Sequence, residues 1–156
     1  MYKVLIADDE RLIRITLKNM IDWQALHCEV IATVKDGKEA YRIFQEVHHE
    51  IVITDLKMPE MDGIETARRI REIVGPDVTI IIMTAYDWIA IEHEAKLAGV
   101  NLLMSKPMFK SSLISAFSRV LGEKEEKETS SATQDYDFTG KRVLLVEDNV
   151  INTEVA

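Results

Sequence analysis

Cysteine is almost missing from these 156 residues: Cys28 stands alone. No internal disulfide can form, and the chain is expected to work in a reducing compartment, the cytoplasm. A basic surplus is missing too. Lys and Arg total 19 against 27 Asp and Glu, a net charge of −8, so direct contact of this segment with nucleic acid is not expected. No run approaches the roughly 20 apolar residues that cross a bilayer, so no membrane contact by this segment is expected. Met1-Tyr2-Lys3 leads into a short apolar stretch ending in two aspartates, unlike a secretory leader. Glycine-rich phosphate loops are absent; Asp36-Gly37 and Asp62-Gly63 read as turns. There is no G-x-S-x-G elbow and no nucleophilic cysteine arrangement. His27, His48, His49 and His93 show no metal-ligand spacing, and His48-His49 reads as a solvated helix end.

What is present is ordinary globular material, 47% hydrophobic and 29% charged. The length suffices for one domain with a core and a remainder of a few dozen residues. Short apolar runs alternate with amphipathic stretches. Val4–Ala7, Glu29–Val34, Ile51–Thr54, Val78–Met83 and Asn101–Met104 read as strands. Val78–Met83 is the most apolar, so it should be covered on both faces. Between the strands, helical spacing joins Leu12, Ile13, Leu17, Met20 and Ile21; then Ala40, Ile43, Phe44 and Val47; then Ile64, Ala67, Ile70 and Ile73. The third helix should stop near Gly75-Pro76. A fourth runs from an Asp87 cap to about Ala98, with Gly99 as its stop. Trp88, Ile89 and Ile91 make its start apolar, read as core packing with a partner surface as the alternative. The last helix starts at Ser111 or Ser112 and buries Leu113, Phe117, Val120 and Leu121. Five βα units predict an α/β fold, a doubly wound parallel sheet of flavodoxin-like order 2-1-3-4-5 with helices on both faces.

That domain fills residues 1–122. Residues 123–139 are charged and polar without an apolar period and read as a linker. In residues 140–156 the opening recurs: Lys141-Arg142-Val143-Leu144-Leu145-Val146-Glu147-Asp148-Asn149 echoes Lys3 to Glu10 as strand, acid pair and helix start. So short a copy cannot bury its own strand and must be disordered or borrow a sheet edge.

The chemistry gathers at strand ends, where open α/β sheets place their sites. Asp55 follows the third strand, with Pro59 closing the run. Asp8 and Asp9 follow the first, Thr84 the fourth and Lys106 the fifth. Three carboxylates within a few ångströms would repel strongly, and Mg²⁺, a hard oxygen-seeking ion, would relieve them. A divalent ion on carboxylates is also what phosphoryl transfer requires. Lys106 offers an ammonium to a phosphoryl group, or to Asp55 when the site is empty, and Lys106-Pro107 suits a cis bond. Thr84 offers a hydroxyl donor. Each signal has a bland counterpart: a capped turn for the acids, a strand-ending turn for Lys-Pro, ordinary strand composition for Thr84. Their joint occurrence carries the reading.

With Val4-Leu5-Ile6-Ala7-Asp8-Asp9-Glu10, Asp55 through Gly63, Met83-Thr84-Ala85 and Ser105-Lys106-Pro107 in order and at the right spacing, residues 1–121 resemble the receiver domain of bacterial two-component response regulators. The resemblance implies that Asp55 accepts a phosphoryl group from a histidine kinase or its phosphohistidine domain. It implies Mg²⁺ on Asp9, Asp55 and the backbone carbonyl of Lys57, with Asp8 acting through water, and Thr84 and Lys106 on the phosphoryl oxygens. The partners implied are that kinase, a downstream effector or phosphotransfer domain, and a second copy in a homodimer. One departure stands out: Leu103 replaces the aromatic residue usual near the end of the fifth strand, which puts the usual aromatic switch in doubt. The tail resembles the start of a second receiver, as in hybrid sensor histidine kinases, while the opening through Gly63 looks as much like receivers that precede DNA-binding effectors.

Two other readings compete. A phosphatase with an aspartyl-phosphate intermediate needs a second acid two residues after its nucleophile, and here that position is Lys57. A non-phosphorylated interaction domain would keep the fold but has no reason to keep the full acid, Thr and Lys set.

Overall fold

The computed structural model describes residues 1–85, 89, 91–107 and 109–122, the last three by their backbone. The elements run β1 (Tyr2–Ala7), α1 (Arg11–Met20), β2 (Cys28–Val34), α2 (Gly37–Glu46), β3 (Ile51–Asp55), α3 (Gly63–Val74), a 3-10 turn (Gly75–Asp77), β4 (Thr79–Thr84), α4 (Glu92–Leu97), β5 (Leu102–Ser105) and α5 (Lys110–Gly122). All strand pairs are parallel and the sheet order is β2-β1-β3-β4-β5, as the alternation of apolar runs and helices requires. The linker, the second acid-pair motif and the expected Asp87 cap lie outside the described residues.

Side-chain alternation splits the core in two. Leu5, Ala7, Val52, Ile80 and Ile82 face α2 and α3, against Ala40, Phe44, Ile64, Ala67 and Ile70. Val4, Ile6, Ile51, Ile53, Ile81 and Met83 face the other way, against Leu17, Ile21, Leu113 and Phe117 from α1 and α5. Trp23 closes that second layer, edge-on to Phe117 at 5.5 Å. Every residue of β3 and β4 is buried, which is why both read as unbroken apolar runs. Gly75 and Gly99, at φ +61° and +79°, end α3 and α4.

Three apolar assignments change. Leu12 is 75% exposed, because at about 100° per residue it sits some 140° around α1 from Leu17. Ile73 is half exposed, because steps of three lag by about 60° each and wind off the buried face. Val47 has left the helix and caps it. At the start of the fourth helix, Ile91 packs against the core while Ile89 is exposed.

The two Asp-Gly pairs are helix starts rather than turns. Asp36 and Asp62 accept hydrogen bonds from the N–H of Glu39 and Glu65 at 2.7 and 2.8 Å, and each glycine is the first residue of its helix. A Cβ on Gly37 would meet Thr66 Oγ1 and the Met61 carbonyl, so α2 and α3 approach closely there. His49 is a further correction: it is fully buried, its ring stacked on Phe44 at 5.8 Å. The chain turns from α2 straight into β3, which carries the ring inward instead of leaving it on a wet helix end.

Candidate phosphoacceptor site

Parallel pairing puts the C-terminal ends of β1, β3, β4 and β5 on one edge. Val4 to Ala7 pair with Ile51 to Thr54, Asp55 pairs with Met83, and Thr84 with Ser105. The last residues of β3 and β4, Asp55 and Thr84, and the first after β1 and β5, Asp8 and Lys106, therefore meet in a common space. Asp8 is fully buried and Asp55 nearly so. Lys106 reaches between them, its Nζ 2.9 Å from Asp8 Oδ2 and 2.8 Å from Asp55 Oδ1. Its backbone is anchored as well: the Lys106 N–H donates to the Thr84 carbonyl at 2.7 Å, and the Lys106-Pro107 bond is cis. Thr84 is fully buried beside it.

Burial is the main force on these charges. It pushes the Asp55 carboxyl above its ordinary value; the hydrogen bond and charge of Lys106 oppose that, and the charge of Asp8 adds to it. For Lys106, burial alone would lower the ammonium, but hydrogen bonds to Asp55 and Asp8 outweigh it and the net shift is upward. Lys106 therefore keeps its proton and pairs with two carboxylates at once.

The expected gathering of three carboxylates is not seen. No three His, Cys, Asp or Glu side chains converge to hold a metal among the described residues. Asp9 is exposed, because consecutive side chains at a strand end point to opposite sides. Two buried carboxylates on one cation are still a hard-oxygen set. Mg²⁺ takes one or two carboxylates and keeps several waters, so the residues fit it if Asp9, a carbonyl and water complete the shell. Lys57 is exposed in the loop after β3.

The loop after β3 is closed from below. Gly63 N–H donates to the Leu56 carbonyl at 2.9 Å, and a Cβ at Gly63 would collide with the Asp55 carbonyl oxygen. Only glycine lets α3 begin this close to Asp55. Sequence reading gave Gly63 no such part, and it passed over Arg14, whose guanidinium reaches the backbone of both acids at the end of β1. The available signal was an arginine one turn into the helix that follows an acid pair.

Among the described residues no helix is long and apolar enough to cross a membrane. The transcriptional regulatory protein HptR of Staphylococcus aureus is 42% identical over 101 residues, 65% of this chain and 37% of its own length. The uncharacterized transcriptional regulatory protein YesN of Bacillus subtilis is 35% identical over 123 residues, 79% of this chain and 33% of its own length. The chain thus spans about a third of the length of these curated relatives. The REC domain of AraT, a response regulator from Geobacillus stearothermophilus, superposes with a TM-score of 0.72 at 33% identity, covering 80% of this chain and 98% of that one. Residues 4–118 match the response regulator receiver domain, and the chain belongs to that family.

Proposed function

We propose that this receiver takes a phosphoryl group onto Asp55 from the phosphohistidine of a histidine kinase, and that the charge it gains alters partner binding. The observation that carries the reading is the shared ammonium: Lys106 holds Asp8 and Asp55 together at the mouth of three strands. An Asp55 carboxylate oxygen attacks phosphorus, the phosphorus–nitrogen bond to the donor imidazole breaks, and that nitrogen leaves with the bonding pair. Lys106 then transfers its contact from the Asp55 carboxylate to the arriving phosphoryl oxygens, as its side chain already spans the site. Thr84, buried at the end of β4, supplies a hydroxyl donor to the same group. Asp9, Asp55 and the Lys57 carbonyl would hold Mg²⁺, with Asp8 acting through water; the ion supplies charge neutralisation at the transferring phosphoryl. Phosphorylation turns the single charge of the Asp55 carboxylate into the roughly two of an aspartyl phosphate, a gain of about one negative charge, which favours a rearrangement around Thr84 and the neighbouring α4 and β5 surface.

Labelling with acetyl phosphate tests this. Asp55→Asn is expected to abolish Mg²⁺-dependent incorporation, and undiminished labelling would refute the assignment. The phosphatase reading is disfavoured by Lys57, which stands where a leaving-group acid is needed; steady turnover of a phosphomonoester would revive it.

For the parent protein two observations pull apart. The relatives named as transcriptional regulators favour a receiver that precedes a DNA-binding output domain. Recurrence of the strand and acid pair at Lys141–Asn149 favours a tandem-receiver or hybrid-kinase parent. The domain architecture of the full-length parent decides between them.

A further inference from the structure

Arg14 sits on α1 just past the acid pair, its N–H donating to the Glu10 carbonyl at 3.2 Å in the helix's first turn. Its side chain leans back toward the helix N-terminus, as helical side chains do. One nitrogen, Nη1, donates to two backbone carbonyls, those of Asp8 and Asp9, at 2.5 and 3.1 Å.

Those carbonyls belong to the two peptide groups that flank Asp9. Peptide groups are planar, so fixing both carbonyl directions fixes the backbone of Asp9 and the direction of its Cβ. Asp8 has other anchors. Its N–H donates to the Val34 carbonyl at 3.1 Å, its Oδ1 accepts from the Glu10 N–H at 2.9 Å, and its Oδ2 meets Lys106. Asp9 has nothing comparable: its carboxylate is exposed and makes no hydrogen bond or ion pair with another described residue. The guanidinium grip, together with the Glu10 N–H held by Asp8 Oδ1, sets its orientation.

We infer that Arg14 is a positioning residue for the cation, holding the Asp9 backbone so that its carboxylate is presented to Mg²⁺ beside Asp55. The inference rests on the reading of Asp9 and Asp55 as Mg²⁺ ligands. It differs from a plain helix-to-strand tie in a measurable way. A tie changes stability alike with and without the ion; a positioning contact changes affinity for the ion.

The test uses the full chain as wild type, Arg14→Lys and Arg14→Gln. Mg²⁺ binding is measured by calorimetry, thermal unfolding is measured in EDTA, and acetyl phosphate labelling is followed as Mg²⁺ is raised. Arg14→Gln is expected to raise the Mg²⁺ Kd about tenfold, the usual effect of losing a group that orients a ligand. Arg14→Lys should fall between, since its ammonium can donate to the same carbonyls but lacks the reach and planar rigidity of the guanidinium. Labelling of both variants should approach the wild-type rate once Mg²⁺ saturates. Unchanged Kd in both variants overturns the inference, as does a labelling defect that persists at saturation. A wild type that binds no Mg²⁺ overturns instead the underlying reading of the site, and the inference with it. Should Arg14→Gln fail to fold, Arg14→Lys alone decides by the same Kd comparison.

Discussion

Replacing Lys106 by Met takes away the cation that Asp8 and Asp55 share while keeping most of the side chain's apolar bulk. The three side chains are 12%, 0% and 11% exposed, so water cannot take over the ammonium's work. Removing one partner of a buried pair is costly because it strands the other charge. The molecule can limit that cost by protonating one carboxyl. Holding neutral at pH 7 a group whose ordinary pKa is 3.8 costs about 4 kcal/mol, which sets the ceiling. Relief from desolvating the ammonium returns part of it, leaving about 2–3 kcal/mol and a fall in Tm of about 10 °C for a domain of this size.

The pH dependence identifies the cause. In Lys106→Met the retained proton raises a folded carboxyl above its unfolded value. The stability of the variant is then fullest below the unfolded pKa and declines as pH rises through the folded one. Urea unfolding in EDTA at pH 5 and pH 7 should show the deficit against wild type narrowing on acidification, by at most about 1.4 kcal/mol per pH unit. Excess Mg²⁺ should narrow it at pH 7 as well, by replacing the lost positive charge. A variant as stable as wild type at pH 7 in EDTA, or a deficit that is the same at both pH values, would refute the shared-ammonium account.

Three further outcomes follow from the packing. Gly63→Ala drives a methyl into the Asp55 carbonyl; a loss of about 1–3 kcal/mol is expected, with slower acetyl phosphate labelling, and unaltered unfolding would disprove the close approach. Gly99→Ala meets the Arg71 side chain at 2.9 Å with φ at +79°, in a spot where Arg71 Nε donates to the Gly99 carbonyl; about 1 kcal/mol of destabilisation should appear in urea. Burial holds the His49 imidazole below its ordinary 6.5, so the unfolded chain takes up a proton that the folded one refuses, and stability falls as pH drops below that value. His49→Phe keeps a ring against Phe44 and should flatten this acid limb; an identical pH profile in the two proteins would show that His49 does not titrate against folding.

The strands were readable because each interior one is buried on both faces, so Ile51–Thr54 and Val78–Met83 announce themselves as apolar runs with no phase to misjudge. The helices carry a phase, and there spacing misled. Ile73 satisfies the i+3 rule with Ile70, and Leu12 stands eight residues from Met20, yet both lie off the buried stripe, since such rules count steps without accumulating rotation. The Asp-Gly pairs misled for a different reason. Asp36-Gly37 and Asp62-Gly63 have the chemistry of a turn, and only the closeness of Thr66 and of Asp55 makes them the tightly packed first residues of helices. Burial of His49 is likewise a consequence of where α2 delivers the chain, which no local pattern records.

Residue type alone located the site, because a parallel sheet of this order must bring the ends of β1, β3, β4 and β5 to one edge. What type does not carry is direction. Asp8 and Asp9 are chemically identical neighbours, yet one is sealed against Lys106 and the other faces solvent, and a sequence cannot say which way round they are. Nor does it tell what holds them so. That information sits in carbonyl orientations, read here from Arg14 on one side and Glu10 on the other. The directions in which an acid pair at a strand end presents its carboxylates are therefore set jointly with the groups that turn its backbone. Here those groups lie within the next five residues of the chain, on the helix that the same strand leads into.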